Sequence, residues 1–227
     1  MAALGAIVRE ESDVPAATDT TEMFAVHDAF RTEFGALPDL IAAVPDGDLE
    51  RAGVVGGHVM LMTMMLHSHH GSEDLLLWPV LEERAPDRLV LVRHMEEQHA
   101  QMGQLLEEAQ GLTAAWMASG DRTQATALAA LVAELDAVLR EHLSAEETEI
   151  MPIVALTFTP EQFAEIGEHS RAHVPPDLLP IGLGIILSDT TRERGEAILS
   201  FMPPEARAGF EQFGRPAYDA YRARLIA

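Results

Sequence analysis

The sequence contains no cysteine. That excludes disulfides, thiolate metal sites and cysteine nucleophiles, and it agrees with a reducing compartment. Any metal held by this chain must therefore be bound through histidine, carboxylate or solvent. Positive charge is scarce, with 15 Lys and Arg against 37 Asp and Glu and a formal net charge of -22. Nucleic acids and anionic membranes are bound largely through Lys and Arg that neutralise phosphate, so neither is an expected partner. Long apolar runs are missing too. The longest, Val54 to Leu66 and Leu178 to Leu187, fall short of the roughly 20 residues that span a bilayer. Met1 to Val14 has no basic leader, no apolar core of sufficient length and no small-residue cleavage site. It does not read as a signal peptide, and a cytoplasmic location is expected.

What is present is a chain of 227 residues, 48% of them hydrophobic, enough to bury a sizeable core. Apolar residues recur at helical spacing and nowhere alternate in the strand pattern for more than a few positions, which predicts an all-α fold. A first helix is expected from about Thr21 toward Val44, with Met23, Phe24, His27, Phe30 and Phe34 on one stripe and Pro38 bending its end. After the turn cluster Pro45-Asp46-Gly47-Asp48, a second carries Val55, Met62, Met65, His69, Glu73 and Leu76 on one face and stops near Pro79. A third begins near Pro86 with Val92, Met95, His99, Met102 and Leu106 facing inward, and ends by Ser119-Gly120. The fourth, from Arg122 to Met151, aligns Leu131, Leu135, Val138, His142 and Glu146, and Pro152 is expected to close it. The expected architecture is an antiparallel up-down four-helix bundle over residues 20–152. Residues 155–227 follow as a C-terminal helical extension packed on the bundle, with a helix start at Thr159-Pro160-Glu161, a proline-rich stretch at Pro175-Pro176 and two further amphipathic helices.

Two segments of the bundle repeat one another. His69-His70-Gly71-Ser72-Glu73-Asp74, reaching Pro79, aligns without a gap on His142-Leu143-Ser144-Ala145-Glu146-Glu147, reaching Pro152. With nearly the same offset, His27 aligns on His99. The bundle thus reads as two copies of a helical hairpin. A histidine and a carboxylate four residues apart are neighbours on a helix face and can share one metal or reach two. Glu73 and Glu146 lie on apolar stripes, where a buried charge is costly unless a cation compensates it. A lone histidine on such a stripe is more often a hydrogen-bonded core residue than a ligand. Four stripes that each carry one, two with glutamate a turn later, point instead to a dinuclear centre.

The remaining histidines read differently. His70, about 100° round the helix from His69, is either a further ligand or a flanking residue. His58, three turns from His69, is too far to share the site along a straight helix. His67 and His94 point elsewhere, and His169 and His173 read as surface. Asp74 and Glu147 are read as outer groups rather than ligands, and Met60, Met62, Met64 and Met65 as core filling.

One His on the first helix, His-x-x-x-Glu on the second, His on the third and His-x-x-x-Glu on the fourth resemble the hemerythrin-like (HHE cation-binding) family. The resemblance covers residues 20–152. It implies that His27, His69, Glu73, His99, His142 and Glu146 are iron ligands, with the two glutamates joining two irons beside an oxo or hydroxo group. The oxygen-carrying hemerythrins have a second histidine on the third helix where this chain has Met95, and their fourth-helix acid is an Asp one residue later. His70 is then the candidate seventh ligand, and reversible oxygen carriage is disfavoured. The expected function is a non-haem di-iron protein whose partners are small molecules, peroxide, nitric oxide or oxygen, with peroxide decomposition or nitric oxide detoxification foremost. An oxygen, iron or redox sensor whose tail responds to the metal is the alternative. A structural bundle holding zinc fits poorly, because six polar groups exceed a tetrahedral set. The apolar run Leu183, Ile185, Ile186 and Leu187 suggests that the tail caps the bundle and narrows access to the metal.

Overall fold

The structure is a computed structural model that describes residues 17–227. Met1 to Val14, whose leader character was judged from sequence above, lie outside the described residues. Among the described residues the chain forms helices joined by turns, with no strand. The bundle consists of α1 (Thr21–Ala43), α2 (Leu49–Leu76), a short α3 (Trp78–Arg84), α4 (Leu89–Ser119), α5 (Arg122–Ala145) and α6 (Met151–Thr157). Helix α1 packs on α2 and α5, α2 on α4, and α4 on α5, which closes a four-membered ring of neighbours joined by short connections.

Local chemistry sets the corners. Asp48 accepts the Arg51 N–H at 2.9 Å and Asp121 accepts those of Thr123 and Gln124, so each carboxylate starts a helix. Helix α4 ends on Gly120 at φ +66, a conformation that favours glycine, and a Cβ there would lie 3.0 Å from the backbone of Gly47. The Gly47 N–H donates to the Gly120 carbonyl at 2.9 Å, tying the two loops together at one end of the bundle.

Pro38 and Pro152 act differently. Helix α1 runs through Pro38, because Phe34, Leu37 and Ile41 are buried around it and their packing carries the helix across the missing hydrogen bond. Pro152, by contrast, does not close the fourth helix as expected. The chain widens into a π turn at Glu146–Ile150, in which the Met151 N–H reaches back to the Glu146 carbonyl, and it resumes as α6 to Thr157. The same device recurs before Pro216, where a π turn at Phe210–Gly214 precedes a further helix.

The apolar core forms two clusters, and the layer between them is polar. One holds Phe30, Phe34, Leu66, Met102, Leu139 and Leu143, and the other Met23, Leu77, Trp78, Met95, Ile150 and Met151. On the four long bundle helices the gap between them is filled by the predicted residues: His27 on α1, His69 to Glu73 on α2, His99 on α4, and His142 with Glu146 at the end of α5.

The tail opens on the helix expected at Thr159, α7 (Pro160–Ala172), and continues with more helices than the two further ones expected: α8 (Leu179–Asp189), α9 (Arg192–Phe201), α10 (Pro204–Gly209) and α11 (Arg215–Ile226). Thr159 and Gln162 form a reciprocal capping box at the start of α7. Helix α7 lies on α2, α8 and α9 lie on α1, and α11 contacts α8 and α2. Ile181, Ile185, Tyr218 and Leu225 join the main core cluster, so the apolar run of α8 is spent on packing against the bundle. Met62 is fully buried as expected, whereas Met60 is 37% exposed. No described helix is long and apolar enough to cross a membrane.

Candidate metal centre

All seven residues singled out from sequence converge in the polar layer. His27, His69, Glu73 and Glu146 form one group, and His70, Glu73, His99 and His142 a second; within each group the donor atoms lie within 4.8 Å of one another. Glu73 belongs to both. Every member is at least nine-tenths buried, and His27, Glu73, His142 and Glu146 are wholly so. His70 therefore lies among the donors, its ring stacked on that of His99 at 4.1 Å.

The duplicated hairpin gives the site an approximate two-fold arrangement. Glu73 reaches its own-helix His69 at 3.2 Å and His99 at 3.5 Å, while Glu146 reaches His27 at 3.4 Å and its own-helix His142 at 3.6 Å. The acidic neighbours follow the same rule: the Asp74 carboxylate accepts from His99 Nδ1 at 2.6 Å and the Glu147 carboxylate from His27 Nδ1 at 3.0 Å. The Gln98 side-chain oxygen does the same for His142 Nδ1 at 3.1 Å. With Nδ1 as donor, each of these rings turns Nε2 to the interior, the orientation a metal ligand needs, and there the Nε2 atoms of His99 and His142 lie 3.1 Å apart. The reading of Asp74 and Glu147 as outer groups agrees with these contacts. Gln98 was missed, and its only sequence signal was adjacency to His99. Trp78 Nε1 donates to Asp74 at 3.0 Å and steadies that carboxylate.

The site's electrostatics are those of a donor set. Burial, reinforced by neighbouring imidazoles, pushes His69 and His70 well below the ordinary histidine range and His142 down to about 2, so these rings are neutral. Burial first, and the nearby Glu146 carboxylate second, push Glu73 well above the usual range; burial also raises Glu146. His27 Nε2, His69 Nε2, His70 Nε2 and both oxygens of Glu73 and Glu146 have no hydrogen-bond partner. Buried polar atoms are rarely left so. A pair of cations would satisfy these atoms, and histidine nitrogen with carboxylate oxygen is a donor set that suits iron.

The other histidines are elsewhere. His58 Nε2 lies 2.9 Å from Glu33 and its Nδ1 2.7 Å from the Tyr221 hydroxyl, in a separate buried cluster, so it is not a seventh donor. His67, His94 and His173 are exposed. His169 differs from the surface reading: it is half-buried and donates through Nδ1 to Ser72 Oγ at 3.0 Å, because that hydroxyl already spends its proton on the Ser68 carbonyl.

A helical bundle whose centre is a buried layer of histidine and glutamate donors is a metal-binding module. The chain belongs to the hemerythrin HHE cation binding domain family, whose pattern it matches over residues 18–154. No curated protein and no solved structure matches it.

Proposed function

We propose that the chain is a non-haem di-iron protein that consumes a small oxidant, hydrogen peroxide or nitric oxide. His27, His69, Glu73 and Glu146 would hold one iron and His70, Glu73, His99 and His142 the other, with an oxo or hydroxo group between them. The observation that carries this reading is the convergence of seven buried donors in two groups sharing Glu73, in which the inward atoms of His27, His69, His70, Glu73 and Glu146 have no partner. Iron bound there would supply the one-electron steps between ferrous and ferric states. The chain's part is to keep imidazoles neutral by burial, to aim them through Asp74, Glu147 and Gln98, and to wall the layer with Phe30, Met95, Met102 and Trp78.

The test is metal analysis and a visible spectrum of protein expressed with ample iron, followed by peroxide addition with oxygen release recorded. About two irons per chain, visible absorption of bridged ferric iron and sustained oxygen release are expected. Zinc or no metal would overturn the di-iron reading. A single stoichiometric response to peroxide and to nitric oxide would favour a sensor instead. One contact supports that second reading: α7 of the tail is bonded to α2 through Ser68 and Ser72, next to the donors His69 and Glu73.

A further inference from the structure

The two halves of the duplicated bundle differ in how they meet solvent. On the α2–α4 side a cleft of about 430 Å³ is lined by His67, Gly71, Asp74, Glu96, Ala100 and Gly103, and its floor is formed by the donors His70 and His99. Both floor residues are about nineteen-twentieths buried, and His70 Nε2 has no partner. The seam is open because the facing residues are small: a Cβ added to Gly71 or Gly103 would meet nothing within 4 Å.

The equivalent seam, between α1 and α5, is an internal control. The alignment that pairs His27 with His99 places Arg31 opposite Gly103 and Asp28 opposite Ala100. Arg31 donates to Glu147 at 2.7 Å across that seam, and the tail adds Arg194 and Thr190 on Asp28. Glu147 is consequently 18% exposed at its side chain, whereas its counterpart Asp74 is 51% exposed. Among the residues lining the open cleft, none comes from the tail. The expectation that the tail narrows access therefore fails on this side: it covers the opposite seam.

We propose that the α2–α4 cleft is the route by which small molecules reach the donors, and that its acidic rim admits neutral molecules in preference to anions. Asp74 and Glu96 stand at the opening of a chain with net charge -22, and no Lys or Arg lines the cleft. An anion approaching His70 is repelled, whereas a neutral molecule meets only a steric limit. This inference rests on the metal centre under Proposed function and narrows its substrate class: hydrogen peroxide and nitric oxide are neutral, superoxide and nitrite are not.

The experiment uses the full chain loaded with ferric iron, mixed rapidly with azide as the anionic probe or hydrogen peroxide as the neutral one, with the change in visible absorption followed. Gly103→Leu, which has space for its Cβ and favours helix, is expected to slow both probes by about tenfold, because access then requires the helices to part. Glu96→Gln is expected to speed azide by about two- to threefold and leave peroxide unchanged, and added salt is expected to speed azide alone. Iron content and thermal unfolding are measured on the same samples. Wild-type rates for both probes in an iron-loaded, folded Gly103→Leu protein would overturn the route. An azide rate that responds neither to Glu96→Gln nor to salt would overturn the charge selection. A chain that takes up no iron would overturn the metal centre itself, and this inference with it.

Discussion

Two buried polar clusters among the described residues differ in how their atoms are satisfied. In the histidine and glutamate layer the inward atoms of His27, His69, His70, Glu73 and Glu146 have no partner. In the second cluster, where the tail meets the bundle, the protein supplies partners for Glu33, His58, Tyr221 and Arg222, and one oxygen of the neighbouring Asp189 is left without one. Glu33 accepts from His58 at 2.9 Å and from Arg222 at 2.8 and 3.1 Å, and the Tyr221 hydroxyl donates to His58 at 2.7 Å. Burial depth does not separate them, since Glu33 and His58 are as buried as the donors. Burial alone marks neither a structural nor a functional group. A closed network supplies its own compensating charge and fixes one packing, whereas an open one is costly until something outside the chain completes it.

Removing the shared member of the open cluster is expected to have the largest effect. Glu73→Gln should abolish metal binding in both groups, read as metal per chain. Its metal-free form should melt no lower than the metal-free parent, because the amide resembles the neutral carboxyl toward which burial already pushes Glu73. Glu33→Ala, in the closed cluster, should do the reverse. It should cost about 3 kcal/mol in denaturant unfolding by stranding His58 and Arg222, with metal content unchanged.

The outer carboxylates provide a milder test. Asp74→Ala and Glu147→Ala should each weaken metal binding by about 10- to 100-fold, as measured by chelator competition, since each frees one histidine ring to turn. Equal losses would support the two-fold arrangement of the site. The smallest expected effect is on pH dependence. Burial, and the Glu33 carboxylate beside it, push Asp189 up to about 7 from an ordinary value of 3.8. A raised carboxyl contributes stability below its unfolded value and loses it as pH rises through the folded one. The melting temperature should therefore fall by a few degrees between pH 5 and pH 8, and Asp189→Asn should flatten that part of the curve.

Much of the site was legible because one observation, the repeat, constrained it. His-x-x-x-Glu occurring twice, each time with an acidic neighbour and a proline, selected Glu73 and Glu146 over the other acidic residues. The same helical period placed His27 and His99 on inward stripes. Less legible was anything that depended on groups far apart in the chain. His58 lies on nearly the same face as His69, and nothing near it in sequence announces Glu33, 25 residues before it, or Tyr221, 163 residues after it. His169 read as surface because its partner Ser72 is 97 residues away. Pro152 misled for a related reason. A proline removes one hydrogen bond locally, but α1 is held across Pro38 by buried Phe34 and Leu37, and the helix at Pro152 absorbs the loss in a π turn.

The sequence by itself determined the all-α class, the paired hairpins, the absence of thiolate chemistry and the identity of the donor-type side chains. These follow from residue type and from periods of a few residues, which act through local sterics and hydrophobic patterning. Only the tertiary structure decided that His70 joins the donors, that His58 does not, that the tail covers one seam of the bundle, and that the other seam is open. Each of those outcomes depends on which side chains meet across helices, where burial and the partnering of polar atoms are settled among residues that no local pattern links.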